Sequence, residues 1–210
     1  MIRLAVFDLD GTLVDSKLDL CLAVNHALRT VGLPERSMEE VASFVGEGAA
    51  KLVERAVAPR RDLLEPALAA WWEHYEAHLL DHTAFFPGVA GLLADARFAL
   101  GVHTNKPGRL ARAILDGLGA GSRFADVVGG DEAPRKPHPA GTRAILARLG
   151  VRAKEAVLVG DSLIDLETAR AVPMRFEPVG WGLVSPERLA AAGSPSPALT
   201  AADLRERLGM

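Results

Sequence analysis

The chain has 210 residues, 49% of them hydrophobic, and a net charge of −3. That is long enough for one good core with at most a small second domain, and too apolar for a disordered chain. The balance of charge argues against nucleic acid or an anionic membrane as the main partner, and a single cysteine, Cys21, leaves no disulfide framework.

The first expected element is a strand over residues 2–7, apolar throughout, running into Asp8-Leu9-Asp10-Gly11-Thr12. These aspartates break the apolar N-terminus, so no signal peptide is expected, and no apolar run approaches the ~20 residues of a membrane span. A cytoplasmic protein follows. From Ser16 to about Phe86 the pattern is helical. Leu18, Cys21, Leu22, Ala27, Leu28 and Val31 stripe one helix, which Gly32 stops, and Cys21 reads as a core residue. Ser37-Met38-Glu39-Glu40 is a capping box. Gly46-Glu47-Gly48 interrupts before a helix over residues 49–57. Pro66 opens a helix over residues 67–80, with Trp71, Trp72 and Tyr75 in the local core or at an interface. The interval is far too long for a loop. A helical cap domain over residues 16–86 is expected, spliced into a core made of residues 1–15 and 87–210.

Further strands are expected over residues 100–104, 126–128 and 156–159. Helices follow them from Pro107, over residues 139–149 with Gly150 beyond the end, and over residues 163–172. The strand runs are continuous rather than alternating, as in a parallel sheet covered on both faces. Strands alternating with helices predict an α/β, doubly wound parallel sheet.

Ligands of such sheets bind beyond the carboxyl ends of the strands. Asp8 ends the first strand, Thr104 and Asn105 end the second, Lys136 follows the third and Asp161 follows the fourth. All are expected at one edge. Clustered carboxylates are costly unless a cation compensates them. Oxygen ligands without His or Cys favour a hard ion, Mg²⁺. Mg²⁺, a lysine, a hydroxyl and the helix N-terminus at Pro107 together suit a phosphoryl group. One carboxylate can then act as nucleophile and form an aspartyl-phosphate. A second, two residues on and facing the same way, can protonate the leaving oxygen. Some positions have a plainer reading. Asp161 and Ser162 compete for the N-cap of the helix that follows. Asp165 is either a ligand or an acid of the first turn. His74, His78 and His82 read as a half-buried or solvated face rather than a metal stripe.

Four motifs in order resemble those of the haloacid dehalogenase superfamily of phosphatases. They are Asp8-Leu9-Asp10-Gly11-Thr12-Leu13-Val14, Thr104-Asn105, Lys136-Pro137-His138-Pro139 and Gly160-Asp161-Ser162 with Asp165. The resemblance implies Asp8 as nucleophile and Asp10 as acid and base, with its backbone carbonyl on the metal. It further implies Thr104 and Asn105 on the phosphoryl group, Lys136 neutralising nucleophile and phosphate, and Asp8, Asp10, Asp161 and Asp165 around Mg²⁺. Within the superfamily, Thr104–Pro107, Arg135–Pro139 and the segment 45–56 are most similar to the phosphoglycolate phosphatases. That likeness points to Gly46, Glu47, Gly48 and Lys51, with Arg55, as cap residues for a small phosphorylated metabolite, 2-phosphoglycolate first. A monomer or homodimer is expected. The chain also departs from the family pattern. Residues 91–99 are short and lack a glycine turn before the strand that delivers Thr104. His103 replaces an apolar residue, Ala171-Val172-Pro173-Met174 replaces Ala-Gly, and Glu177 falls in a strand expected to be buried.

Rival readings are separable. A dehalogenase would lack an acid at position 10. A phosphomutase would return phosphorus to a second hydroxyl of a sugar phosphate, and a silent binding module would release no phosphate from any substrate.

Overall fold

A computed structural model describes residues 1–210. In chain order, β1 (Leu4–Phe7) leads to β2 (Val14–Asp15), then to the helices α1 (Lys17–Thr30), α2 (Met38–Phe44), α3 (Ala49–Val57) and α4 (Leu64–Ala77). The chain continues through β3 (Ala84–Phe85), α5 (Val89–Asp95), β4 (Ala99–His103), α6 (Gly108–Gly117), β5 (Asp126–Val128) and α7 (Ala140–Arg148). It ends with β6 (Ala156–Gly160), α8 (Leu163–Ala171), β7 (Arg175–Pro178), α9 (Pro186–Ala191) and α10 (Ala201–Leu208).

The main sheet has the order β5-β4-β1-β6-β7, and every pairing in it is parallel. β1 is central and fully buried, with Val6 opposite Gly101 on one side and Leu158 on the other. The chain leaves β1 to build one half of the sheet (β4, β5) and later returns to build the other (β6, β7). The strand order therefore reverses beside β1, which opens a crevice at the carboxyl end of that strand. Leu4, Val6, Ile145, Leu158, Leu166 and Phe176 pack in one cluster against the sheet.

The strand boundaries differ from the sequence reading at the ends. β1 starts at Leu4 rather than Ile2, and β4 closes at His103, leaving Thr104 just beyond it. A fifth strand, β7, forms despite Glu177. This carboxylate is 4% exposed, but Arg175 lies 2.6 Å from it and Arg207 3.2 Å, so the charge is paired rather than stranded. The short segment before β4 does not distort that strand, which pairs with β1 from Leu4 opposite Ala99 onward. The Arg123 guanidinium donates to the carbonyls of Leu93 (2.8 Å) and Ala96 (3.2 Å). It closes α5 where a glycine turn would otherwise do so.

The chain divides into two compact units, Met1–Asp15 with Phe85–Met210, and Ser16–Ala84. In the second unit α1 packs on α4, and Val24, Ala27, Leu28, Trp71 and Tyr75 are buried. Leu18 and Leu22, expected in the buried stripe, are 36% and 40% exposed; Leu20 and Ala23 are buried in their stead. α4 begins at Leu64, so Pro66 sits inside its first turn, and it ends at Ala77 rather than Leu80. Ser37 forms the full capping box with Glu40. Cys21 is buried and unpaired with any other cysteine. The rings of His26, His74 and His78 lie in series, 4.5 and 4.4 Å between centroids.

Candidate active site

The polar residues at the carboxyl edge of the sheet converge. Asp8 follows β1 directly, Asp161 follows β6, and Asp165 lies in the first turn of α8. One carboxylate oxygen from each of the three comes within 4.8 Å of the others. Lys136, from the loop after β5, places its ammonium between two of them, 2.8 Å from Asp8 and 2.6 Å from Asp165. Its side chain is 2% exposed and that of Asp165 is 0% exposed, so this is a desolvated charge cluster.

Each carboxylate is held by specific donors. Asp8 Oδ1 accepts the N–H of Leu9 at 2.7 Å. Asp161 accepts the Thr12 hydroxyl at 2.8 Å and the Leu183 N–H at 2.6 Å. Asp165 accepts the Ser162 hydroxyl at 2.5 Å, while Ser162 in turn accepts the Asp165 N–H. Ser162 is therefore the N-cap of α8, and Asp161 is not spent on capping. Gly11 has a left-handed φ of +88°, and a Cβ there would sit 2.5 Å from Asp161 Oδ2. Only glycine lets this turn pass so close to the carboxylate.

The electrostatics follow from the crowding. Burial, with Asp165 and Asp161 nearby, pushes Asp8 up to about 8 although Lys136 pulls the other way. Burial and Asp165 raise Asp161 to about 6, against the donors Leu183 and Thr12. Burial opposes charge on Lys136, but Asp165 and Asp8 overcome it and hold the ammonium above its usual range. His103, buried in β4, is depressed to about 3 by desolvation and by Lys136, and it stays neutral against the Thr142 hydroxyl at 2.8 Å.

Asp10 is not one of these three carboxylates. Lys106 contacts both its oxygens, at 2.7 and 2.9 Å. When Asp8, Asp161 and Asp165 are all ionised, their three negative charges exceed the one positive charge of Lys136 by two, the charge of one divalent cation. The oxygen-only donor set and the raised proton affinity of Asp8 both fit such an ion. Asp8, Asp161 and Asp165 are the side chains that would hold it.

Thr104 is buried just beyond β4, and its hydroxyl oxygen accepts the Lys106 N–H at 3.1 Å, which keeps the hydroxyl proton for another acceptor. Asn105 faces the Lys136 loop. Its amide donates to the Lys136 carbonyl at 3.0 Å and accepts the Lys136 N–H at 2.8 Å. The N-terminus of α6 carries less positive potential than the sequence suggests, because the Gly108 N–H is taken by Asp131 at 2.8 Å.

The remaining candidates lie in the second unit. Gly46 and Gly48 have positive φ, +123° and +90°, and Gly48 is the N-cap residue of α3. Glu47 pairs with Arg55, which also donates to the Phe44 carbonyl. Lys51 pairs with Glu54 at 2.6 Å.

Sequence reasoning quoted Lys106 and Thr12 within its motifs but gave them no role, and it missed the Leu183 N–H, which lies 22 residues beyond Asp161 in a loop no motif marks.

A parallel α/β sheet with buried carboxylates and a lysine at the carboxyl ends of its strands is suited to binding an anionic group together with a cation. The comparisons specify the family. Residues 5–179 match the model of the haloacid dehalogenase-like hydrolase family. The chain is 41% identical to a phosphoglycolate phosphatase of Rhodospirillum rubrum, covering 92% of this chain and 86% of that one. It is 38% identical to one of Chromobacterium violaceum, over 90% of each. Among solved structures, a predicted phosphoglycolate phosphatase from Haemophilus somnus superposes with a TM-score of 0.83 at 31% identity, over 86% of each chain. The chain belongs to the haloacid dehalogenase-like hydrolases, and within them to the phosphatases.

Proposed function

We propose that the chain is a Mg²⁺-dependent phosphomonoesterase for a small phosphorylated metabolite, with 2-phosphoglycolate the leading substrate. The observation that carries this reading is the convergence of Asp8, Asp161 and Asp165 within 4.8 Å, with Lys136 bridging Asp8 and Asp165. The substrate rests on the phosphoglycolate phosphatase names of relatives at 36–41% identity.

Asp8 attacks phosphorus in line and forms an aspartyl-phosphate. Lys136 offsets charge on the nucleophile and the transferring group, and the Thr104 hydroxyl donates to a phosphoryl oxygen. Asp10 gives a proton to the departing alcohol, then takes one from the water that cleaves the intermediate. Asn105 holds the Lys136 loop through both ends of its amide. A bound divalent ion would neutralise the two unbalanced negative charges and polarise a phosphoryl oxygen. The unit Ser16–Ala84 acts as the cap, the part from which Gly46, Glu47, Gly48 and Lys51 supply substrate selection.

The test is phosphate release from a panel of small phosphomonoesters with Mg²⁺ or with EDTA. Release is expected with 2-phosphoglycolate and Mg²⁺ and is abolished by EDTA. Asp8→Asn is expected to lose at least ~1,000-fold, on the scale of a missing nucleophile. Full activity in Asp8→Asn refutes the mechanism, and release from other esters alone refutes the substrate.

A further inference from the structure

Lys106 stands out as a buried ammonium to which the sequence assigned no role. Its side chain is 5% exposed, and the carboxylate of Asp10, 13% exposed, lies against it. Both carboxylate oxygens are engaged, at 2.7 and 2.9 Å, across 96 residues of sequence. The backbone of Lys106 is pinned as well. Its N–H donates to the Thr104 hydroxyl at 3.1 Å, and its carbonyl accepts the Gly130 N–H at 2.9 Å. A lysine loses much rotamer freedom when buried, so a chain that fixes both ends of one spends free energy on its placement. Asp10 stands at a tight turn, and its carboxylate is oriented by rotation about two χ angles. A charge-assisted contact to both oxygens selects one orientation.

We infer that Lys106 is a positioning residue for Asp10: it holds the acid/base carboxylate in one orientation beside the nucleophile, acting through Asp10 rather than on the substrate. This rests on the acid/base role proposed for Asp10.

The test is a double-mutant cycle on the full chain with Mg²⁺. Lys106→Met, Asp10→Asn and the double variant are compared with wild type for kcat and KM. The substrates are 2-phosphoglycolate and p-nitrophenyl phosphate, whose good leaving group keeps the Asp10→Asn rate measurable. General acid–base catalysis supplies ~10²–10⁴-fold, and a displaced catalytic group forfeits up to ~10²-fold. Lys106→Met is therefore expected to lower kcat about 10- to 100-fold with KM nearly unchanged. In the Asp10→Asn background the same substitution is expected to change kcat less than about twofold. Lys106→Arg, which keeps donors for both oxygens, is expected to recover part of the loss. If the Met variant does not fold, Lys106→Gln takes its place in the cycle.

Three outcomes overturn the inference. An unchanged kcat in Lys106→Met, beside a crippled Asp10→Asn, overturns it alone. A loss lying mainly in KM, or persisting in full in the Asp10→Asn background, shows that Lys106 touches the substrate. Full activity in Asp10→Asn overturns it together with the acid/base role on which it rests.

Discussion

The apparent affinity for Mg²⁺ should depend steeply on pH, with a slope set by Asp8. Without a cation Asp8 titrates at about 8 and Asp161 at about 6. At pH 7, one unit below the first and one above the second, about ten Asp8 carboxyls are protonated for each ionised one, and Asp161 is mostly ionised. A cation needs the ionised forms. Binding at pH 7 should therefore release about one proton and cost about 1.4 kcal/mol relative to the plateau above pH 8. With both carboxyls titrating, affinity should rise about 17-fold between pH 6 and 7 and less steeply toward pH 8. Stability has the opposite trend in the metal-free protein. The folded-state affinities of these two carboxyls for protons are raised, so their contribution is present at low pH and is lost as pH climbs from about 4 toward 8. Added Mg²⁺ should raise Tm more at pH 8 than at pH 6. Calorimetric titration in two buffers of different ionisation heat counts the protons directly. An affinity independent of pH between 6 and 8, with no proton released, would refute the account of three carboxylates sharing one site.

Two other consequences can be measured. Gly11→Ala places a Cβ 2.5 Å from Asp161 Oδ2 at φ +88°, where a side chain also costs ~1–2 kcal/mol of backbone strain. Its affinity for Mg²⁺ should fall at least ~10-fold by calorimetry, and wild-type affinity would show that the turn does not position Asp161. His103, depressed to about 3 with an unfolded value near 6.5, contributes stability that is full above pH 6.5 and is lost as pH falls toward 3. Between pH 7 and 5 wild type should lose up to ~2 kcal/mol more than His103→Asn in urea unfolding; equal losses would remove His103 as the cause.

Much of the architecture can be read in the sequence because buried parallel strands have no polar face. Leu4–Phe7 and Ala156–Gly160 are apolar at every position, so their type is unambiguous even where their ends are not. Capping also announces itself locally, as Ser37 with Glu40 does. β7 is harder, because its Glu177 is acceptable only through Arg175 and Arg207, and Arg207 comes from thirty residues later in α10. The same holds at the site. Of the carboxylates that gather there, Asp8 and Asp161 sit where strands end and Asp165 in the first turn of the helix that follows, and both are local features. Their supporting contacts are not local. Lys106 reaches Asp10 across 96 residues, Thr12 reaches Asp161 across 149, and Arg123 closes α5 from 30 residues away. Long polar side chains meet such partners only after the sheet has set the distances, and nothing in their immediate neighbours specifies the meeting.

β2 and β3 pair with each other in a two-stranded sheet, the one on the way into the helical insert and the other on the way out. Paired strands run about 4.8 Å apart, so the insert begins and ends at nearly one point. A module attached that way leaves the order of the main sheet indifferent to its size. It can be lengthened, exchanged or cut back to a hairpin turn without re-threading β1 or β4. The strand ends that carry the acids stay where they are, whatever the length of the insert.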